Sequence, residues 1–170
     1  MSERELLQTS RFSVVECESS PPGHLRQIIR HPGSVVIIPL VDEQHVCLIR
    51  NFRVSVGRTL IELPAGTREP GERAEATAAR ELAEETGYRA RSLEPLTHFL
   101  PAPGILDEKM ILYRAEGLSE GPPARETGEQ IENLVVSWKE AMAMVADGEI
   151  EDAKTLVGLL LVDRQRDSGD

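Results

Sequence analysis

Apolar and polar residues alternate along much of this chain, in short segments separated by turn-forming residues. Such alternation is typical of half-buried strands, and a continuous β-branched run indicates a strand buried on both faces. We predict strands at residues 11–18, 24–30, 34–41, 45–50, 59–63, 91–100, 109–116 and 131–136. Helices are predicted at 73–86, at 138–146 and from near Asp152 onward. Because strands do not alternate regularly with helices, the order predicts an α+β fold.

Residues at the predicted helix ends support these boundaries. Gly87 stands where a left-handed C-cap would end the first helix. Ser137 followed three residues later by Glu140 predicts a capping box at the start of the second helix. In the third helix, Leu156, Leu159 and Leu160 recur at spacings of three and four residues, which indicates packing on the core.

Composition limits the class of protein. With 170 residues, the chain is long enough for one domain with a substantial core. Its net charge of −10 argues against a nucleic-acid partner or an anionic membrane surface. The N-terminal segment, MSERELLQTS, is charged and lacks an apolar stretch, so we expect no signal peptide. Cys17 and Cys47 fit no metal-ligand spacing, and we expect a cytoplasmic protein with reduced thiols.

The acidic segment at residues 66–88 carries the clearest chemical signal. It has the sequence GTREPGERAEATAARELAEETGY. On a helix, Glu81, Glu84 and Glu85 share one side and repel each other by a few tenths of a kcal/mol per pair, on the order of 0.2–0.5. A divalent cation reverses this repulsion. Carboxylates without His or Cys suit a hard ion, so we predict Mg²⁺, with Mn²⁺ as a possible substitute.

The same segment resembles the Nudix box of the Nudix hydrolases. The matching positions are Gly66, Glu72, Arg80-Glu81-Leu82, Glu84-Glu85, Gly87 and Tyr88. Tyr88 is a mild departure, since the family prefers an aliphatic residue there. The resemblance implies the Nudix fold, with mixed β-sheets sandwiched between helices, and metal-dependent hydrolysis of a diphosphate bond.

The resemblance also implies metal ligands and catalytic residues. Glu81 and Glu85 would be the primary ligands, and Glu84 would join them or hold a bound water. The carbonyl before the box glycine belongs to Ala65 and is a further expected ligand. A late acidic residue, Glu129, would act as ligand or general base, with Glu126 as the alternative. We therefore expect Glu84, Glu85 and Glu129 to be catalytic.

Features outside the box resemble the ADP-ribose pyrophosphatase branch of the family, over roughly residues 11–160. They lie at 31–40, 50–53, 60–66, around Pro103, and at 152–155. The candidates for substrate binding are Arg53, Glu62, Glu108 and, more weakly, Arg26. Two of these have alternatives, since Arg53 could be a surface residue and Glu62 could simply pair with an arginine.

The branch implies Mg²⁺-dependent hydrolysis of ADP-ribose to AMP and ribose 5-phosphate. The alternatives are another nucleoside diphosphate substrate, such as a GDP-sugar or a dinucleotide, and a non-catalytic nucleotide-sensing domain. We divide the chain into an N-terminal β-hairpin extension, residues 1–32, and a main domain, residues 33–170. In the resembling branch such an extension helps form a homodimer, which we expect here.

Overall fold

The computed structural model describes residues 3–18, 23–125 and 130–167, and structural statements refer to these residues. Strands and helices occur in mixed order, as the α+β prediction expected. The strands are β1 (Glu3–Gln8), β2 (Ser13–Glu18), β3 (Leu25–Arg30), β4 (Ser34–Pro39), β5 (His45–Arg53), β6 (Arg58–Glu62), β7 (Ala65–Thr67), β8 (Ser92–Phe99), β9 (Met110–Glu116) and β10 (Ile131–Ser137). The helices are α1 (Ala74–Thr86), α2 (Trp138–Ala146) and α3 (Ala153–Asp167).

Two sheets form the centre of the main domain. One has the strand order β7-β4-β9-β8, in which β4 and β9 run parallel and the other pairs run antiparallel. The other has the order β10-β5-β6 and is antiparallel. Strand β4 is buried along its whole length, as its β-branched run predicted.

Alternate residues of β4 point to opposite helical layers. Val35 and Ile37 belong to the apolar cluster that contains Leu82 of α1. Val36 and Ile38 belong to the cluster that includes side chains of α2 and α3, among them Trp138, Ala141, Leu159 and Val162. The sheets therefore lie between α1 on one side and α2 with α3 on the other.

The N-terminal residues form a separate antiparallel sheet of β1, β2 and β3. The predicted hairpin corresponds to β2 and β3, whereas β1 was missed because its residues, ERELLQ, are all exposed and do not alternate. This sheet joins the main domain through the 101–108 loop. The amide of Ile29 donates to the Ile105 carbonyl at 2.8 Å, and Arg30 Nη1 donates to Asp107 Oδ2 at 2.9 Å.

The helix boundaries agree with the capping signals. Helix α1 ends at Gly87, which has a φ of 81° and donates its amide to the Ala83 carbonyl. Helix α2 begins at the predicted capping box of Ser137 and Glu140. Within the described residues, no helix is long and apolar enough to cross a membrane.

Candidate active site

The loop after β6, which includes the short strand β7, holds the backbone of Ala65 and Gly66 against α1. The amide of Ala65 donates to Glu85 Oε2 at 3.0 Å. A β-carbon on Gly66 would lie 1.8 Å from the carboxyl carbon of Glu81, far closer than two non-bonded carbon atoms can approach. Gly66 is therefore required by the position of the Glu81 carboxylate, and the loop and the acidic helix form one unit.

Arg80 holds three of the acidic side chains together. Its Nη1 donates to Glu81 Oε1 at 2.7 Å and to Glu84 Oε2 at 3.0 Å. Its Nε and Nη2 reach the two carboxylate oxygens of Glu72, at 3.2 and 3.1 Å. These hydrogen bonds from Arg80, helped by the Thr77 hydroxyl, outweigh partial burial and lower the pKa of Glu72 to about 2. Arg80 thus offsets the mutual repulsion of the acidic residues.

The donor set beside this loop matches a hard divalent cation. It consists of the carboxylates of Glu81, Glu84 and Glu85 and the carbonyl of Ala65, all oxygen ligands. In the described part of the chain, no three acidic, His or Cys side chains already converge as a complete metal site. The carboxylates instead bond to Arg80 and to the Ala65 amide. These oxygen donors fit the ion by their chemistry.

The segment that follows β9 is fastened to the C-terminal end of α1. The amide of Ala124 donates to the Glu84 carbonyl at 3.0 Å, and Arg125 Nε donates to the Glu85 carbonyl at 3.0 Å. Asn133 Nδ2 donates to the Thr86 carbonyl at 2.8 Å. These groups satisfy carbonyls that a helix end leaves without partners. The predicted late acids, Glu126 and Glu129, lie outside the described residues.

A cleft of about 230 Å³ adjoins the loop that carries Ala65 and Gly66. Its lining combines charged, hydroxyl and apolar side chains: Ser34, Arg53, Ala65, Gly66, Thr67, Pro101, Glu108, Met110, Asp152, Ala153 and Lys154. A larger groove of about 800 Å³ borders β6 and β10, but it touches no residue of the acidic helix. The lining of the smaller cleft has no residue of α1 either, but it includes Ala65 and Gly66, whose backbone lies against Glu85 and Glu81.

Glu62 lies beneath this cleft in an ion pair with two cations. Arg53 forms a bidentate ion pair with Glu62, in which Nε donates to Oε1 at 2.7 Å and Nη2 donates to Oε2 at 2.5 Å. Lys154 Nζ donates to the same Oε2 at 2.5 Å. Burial, at 1% exposure, would by itself raise the pKa of Glu62, but the two cations outweigh it and the pKa is lowered. Glu62 is ionised and directed at Arg53.

The two other predicted binding residues occupy different places. Glu108 lines the cleft, is buried, and accepts a hydrogen bond from the Ser34 hydroxyl at 2.6 Å. Arg26 is exposed on β3 and is not part of the cleft lining. The structure therefore brings Arg53 and Glu108 to the cleft beside Ala65, buries Glu62 against Arg53 and Lys154, and leaves Arg26 on the N-terminal sheet.

Sequence patterns assigned no role to several residues that shape the site. Arg125 and Asn133 cap α1 from distant segments, and no local pattern connects them to it. Lys154 is buried in the cleft wall, although lysine is rarely buried without a partner. Sequence offered one signal for the position of this helix start. Asp152 precedes Thr155 by three residues and accepts a hydrogen bond from its amide, as an N-cap residue does.

A model of the NUDIX domain matches residues 30–159, most of the chain. The chain belongs to the Nudix hydrolase family. The predicted fold and the predicted enzyme class are thereby confirmed, and the acidic helix α1 with its preceding loop is the Nudix box. Nudix hydrolases generally use divalent metal ions, in agreement with the oxygen donors of this box.

Three relatives are informative about the kind of enzyme. An ADP-ribose pyrophosphatase of Bacillus subtilis (strain 168) is 41% identical over 132 residues, which cover 76% of this chain and 71% of the relative. A GDP-mannose pyrophosphatase of Klebsiella pneumoniae subsp. pneumoniae is 31% identical over 163 residues, covering 89% and 81%. The crystal structure of an ADP compounds hydrolase superposes with a TM-score of 0.81 at 25% identity, covering 99% of this chain and 94% of that one.

Proposed function

We propose that this Nudix hydrolase cleaves the diphosphate bond of nucleoside diphosphate sugars, and that ADP-ribose is its preferred substrate. The products are then AMP and ribose 5-phosphate. The observation that carries this proposal is the cleft in which Arg53 and Glu108 stand beside the Ala65–Gly66 backbone of the Nudix box. The ADP-ribose pyrophosphatase relative and the ADP compounds hydrolase support the choice of substrate.

Mg²⁺ is the ion that suits this donor set, with Mn²⁺ as a substitute. Glu81, Glu84, Glu85 and the Ala65 carbonyl would hold it, joined by Glu129 from the late loop. Such ions, when bound, neutralise phosphate charge and lower the pKa of the attacking water. Arg80 keeps Glu81 and Glu84 adjacent, because it bonds to both.

The chemical step requires no covalent intermediate with the protein. A water oxygen forms a bond to one phosphorus, and the bond from that phosphorus to the bridging oxygen breaks. Each product keeps one phosphate, and the proton released by the water passes to a carboxylate. Glu129 is our candidate for this acceptor, and its position in sequence follows directly on the segment that Arg125 ties to α1.

Substrate recognition is assigned to the remaining cleft residues. Arg53 would contact the diphosphate, because its guanidinium lines the cleft and its positive charge matches the phosphates. Glu62 contributes by holding Arg53. Glu108 would accept hydrogen bonds from the hydroxyls of the sugar. Arg26 lies outside the cleft lining, so it is left out of this assignment.

A homodimer formed through residues 1–32 accounts for exposed apolar side chains on the N-terminal sheet. Leu7 and Leu25 are 52% and 57% exposed. They share one face of the sheet, since their cross-strand partners on β2, Val14 and Glu18, are four residues apart.

We place the enzyme in the cytoplasm, where the free thiols of Cys17 and Cys47 would stay reduced. We assign it neither nucleic acid nor membrane as a partner.

A substrate panel tests the proposal. Purified protein with Mg²⁺ is given ADP-ribose, GDP-mannose and a dinucleotide at limiting enzyme, and product release is measured. We expect the highest kcat/KM for ADP-ribose, with AMP and ribose 5-phosphate in equal amounts. A higher kcat/KM for GDP-mannose would show that the preferred substrate is a GDP-sugar, as the name of the Klebsiella relative indicates for that enzyme. Thermal stabilisation by ADP-ribose without any product would indicate a nucleotide-sensing domain instead.

A further inference from the structure

A network of four charged side chains, of which Glu62 and Lys154 are buried, forms part of the cleft wall. It contains two cations, Arg53 and Lys154, and two anions, Glu62 and Asp152. Lys154 Nζ bridges the anions, with Glu62 Oε2 at 2.5 Å and Asp152 Oδ2 at 3.0 Å. The Lys154 side chain is only 7% exposed, and neither the Nudix box nor the candidate binding residues include it. A lysine in this position needs both carboxylates, because a buried unpaired charge is costly.

The start of α3 fixes the position of Lys154. The carboxylate of Asp152 accepts hydrogen bonds from the amide and the hydroxyl of Thr155, at 3.0 and 2.6 Å. The Thr155 hydroxyl in turn accepts from the amide of Leu63 at 2.8 Å. Leu63 directly follows Glu62, the last residue of β6 and the partner of Arg53. The first turn of α3 is therefore hydrogen-bonded to the end of β6.

The contacts of Glu62 determine which edge of Arg53 is available to a ligand. Glu62 uses the Nε and Nη2 edge of the guanidinium. Because the guanidinium is planar, Nη1 lies on the opposite edge, away from Glu62. Glu62 Oε2 is shared between Arg53 and Lys154. The position of Glu62 Oε2 therefore depends on Lys154, and so does the orientation of the Arg53 guanidinium that bonds to it.

We propose that Lys154 is a positioning residue, which acts through Glu62 to orient Arg53 towards the diphosphate of the substrate. This inference rests on the proposed function to the extent that Arg53 contacts substrate.

The kinetic test compares Lys154→Met with Lys139→Met, an exposed lysine on α2. We expect Lys154→Met to raise KM by about tenfold or more while kcat stays within about threefold, the pattern of a lost binding interaction. Lys139→Met should match the wild type, and Lys154→Arg, which keeps the cation, should recover most of the loss. Equal kinetics of folded Lys154→Met and wild type would overturn the proposal.

A double-mutant cycle separates positioning from a purely structural role. In an Arg53→Met background, Lys154→Met should change KM by less than about twofold, since its route to the substrate is already removed. Independent effects that multiply in the double variant would overturn the proposal. If Lys154→Met does not fold, Lys154→Gln, whose amide can donate to one carboxylate, replaces it in both tests.

A measurement without substrate distinguishes failure of this inference from failure of the proposed function. The hydrogen exchange of the Arg53 Nε–H group is followed by nitrogen-15 NMR, with Arg53→Lys to assign the signal. We expect exchange at least about tenfold faster in Lys154→Met than in wild type or Lys139→Met, because an ordered hydrogen bond protects this proton. Unchanged exchange would overturn the positioning role. If exchange is faster in Lys154→Met but the wild type hydrolyses no nucleoside diphosphate sugar, only the proposed function is refuted.

Discussion

Gly66 illustrates, at the residue scale, how the Nudix box makes room for its own carboxylates. Gly66→Ala would place a β-carbon against the Glu81 carboxyl group. Because that group ends a flexible side chain, the protein should fold with Glu81 displaced. We therefore predict a loss of kcat of at least about 100-fold with a small change in Tm. Gly104→Ala, where nothing lies within 4 Å, is the control in activity and thermal-melting assays. Wild-type activity of Gly66→Ala would contradict the assignment of Glu81.

Glu72 should give the box a measurable pH dependence of stability. Its pKa of about 2 lies below the ordinary value of 4.5, mainly because Arg80 bonds to it. A lowered folded-state pKa stabilises the protein above the unfolded-state value, and this contribution is lost as pH falls towards the folded-state value. The Tm difference between wild type and Glu72→Gln should therefore be largest above about pH 4.5 and shrink as the pH falls towards 2. A difference that does not vary with pH would contradict the role of Arg80.

Individual site residues differ in how far sequence could predict them. The box positions Glu81, Glu84 and Glu85 could be proposed as metal ligands from sequence, because their spacing on a helix is local. Burial of Glu62 and its contact with Lys154, 92 residues away in sequence, depend on the tertiary fold. The alternative that Glu62 pairs with an arginine was open from sequence, and only the packing of α3 on β6 shows that Lys154 joins the pair.

At the scale of elements, the junction between β6 and α3 should carry an unusual share of stability. Thr155 is fully buried and its hydroxyl serves both the Leu63 amide and the Asp152 carboxylate. Thr155→Val keeps the shape but leaves the Leu63 amide without a partner, which costs about 1–3 kcal/mol. We expect a loss of unfolding free energy of that size in denaturant titrations. Thr97→Val, on an exposed strand, should change it by less than about 0.5 kcal/mol, and equal effects of the two would contradict this assignment.

The elements themselves were largely predictable where pattern and caps agreed. Helix α1 with Gly87 and helix α2 with Ser137 have strong local signals, and both were placed correctly. Strands β1 and β7 were missed. The first is a fully exposed charged strand, and the second has only three residues and pairs with β4 at a distance in sequence. Neither has the alternation from which a strand is predicted.

At the scale of the whole molecule, the N-terminal sheet exposes Leu7 and Leu25 on one face, which a second copy would cover in the proposed dimer. We predict that the wild type sediments as a dimer. The double variant Leu7→Glu with Leu25→Glu should sediment as a monomer, since it places charges on the shared face. Sedimentation velocity at several concentrations measures this. A wild-type monomer, or a variant that remains dimeric, would refute an interface on this sheet.

We propose that the carboxylates of α1 carry out the metal-dependent hydrolysis of a nucleoside diphosphate sugar. Glu85 is buried against the Ala65 amide, whereas Glu75 is exposed in the first turn of the same helix. The most direct measurement is AMP release from ADP-ribose with Mg²⁺ by the wild type, Glu85→Gln and Glu75→Gln. We predict that Glu85→Gln lowers kcat at least about 100-fold and that Glu75→Gln stays within about twofold of the wild type. Near wild-type turnover by folded Glu85→Gln would contradict the claim.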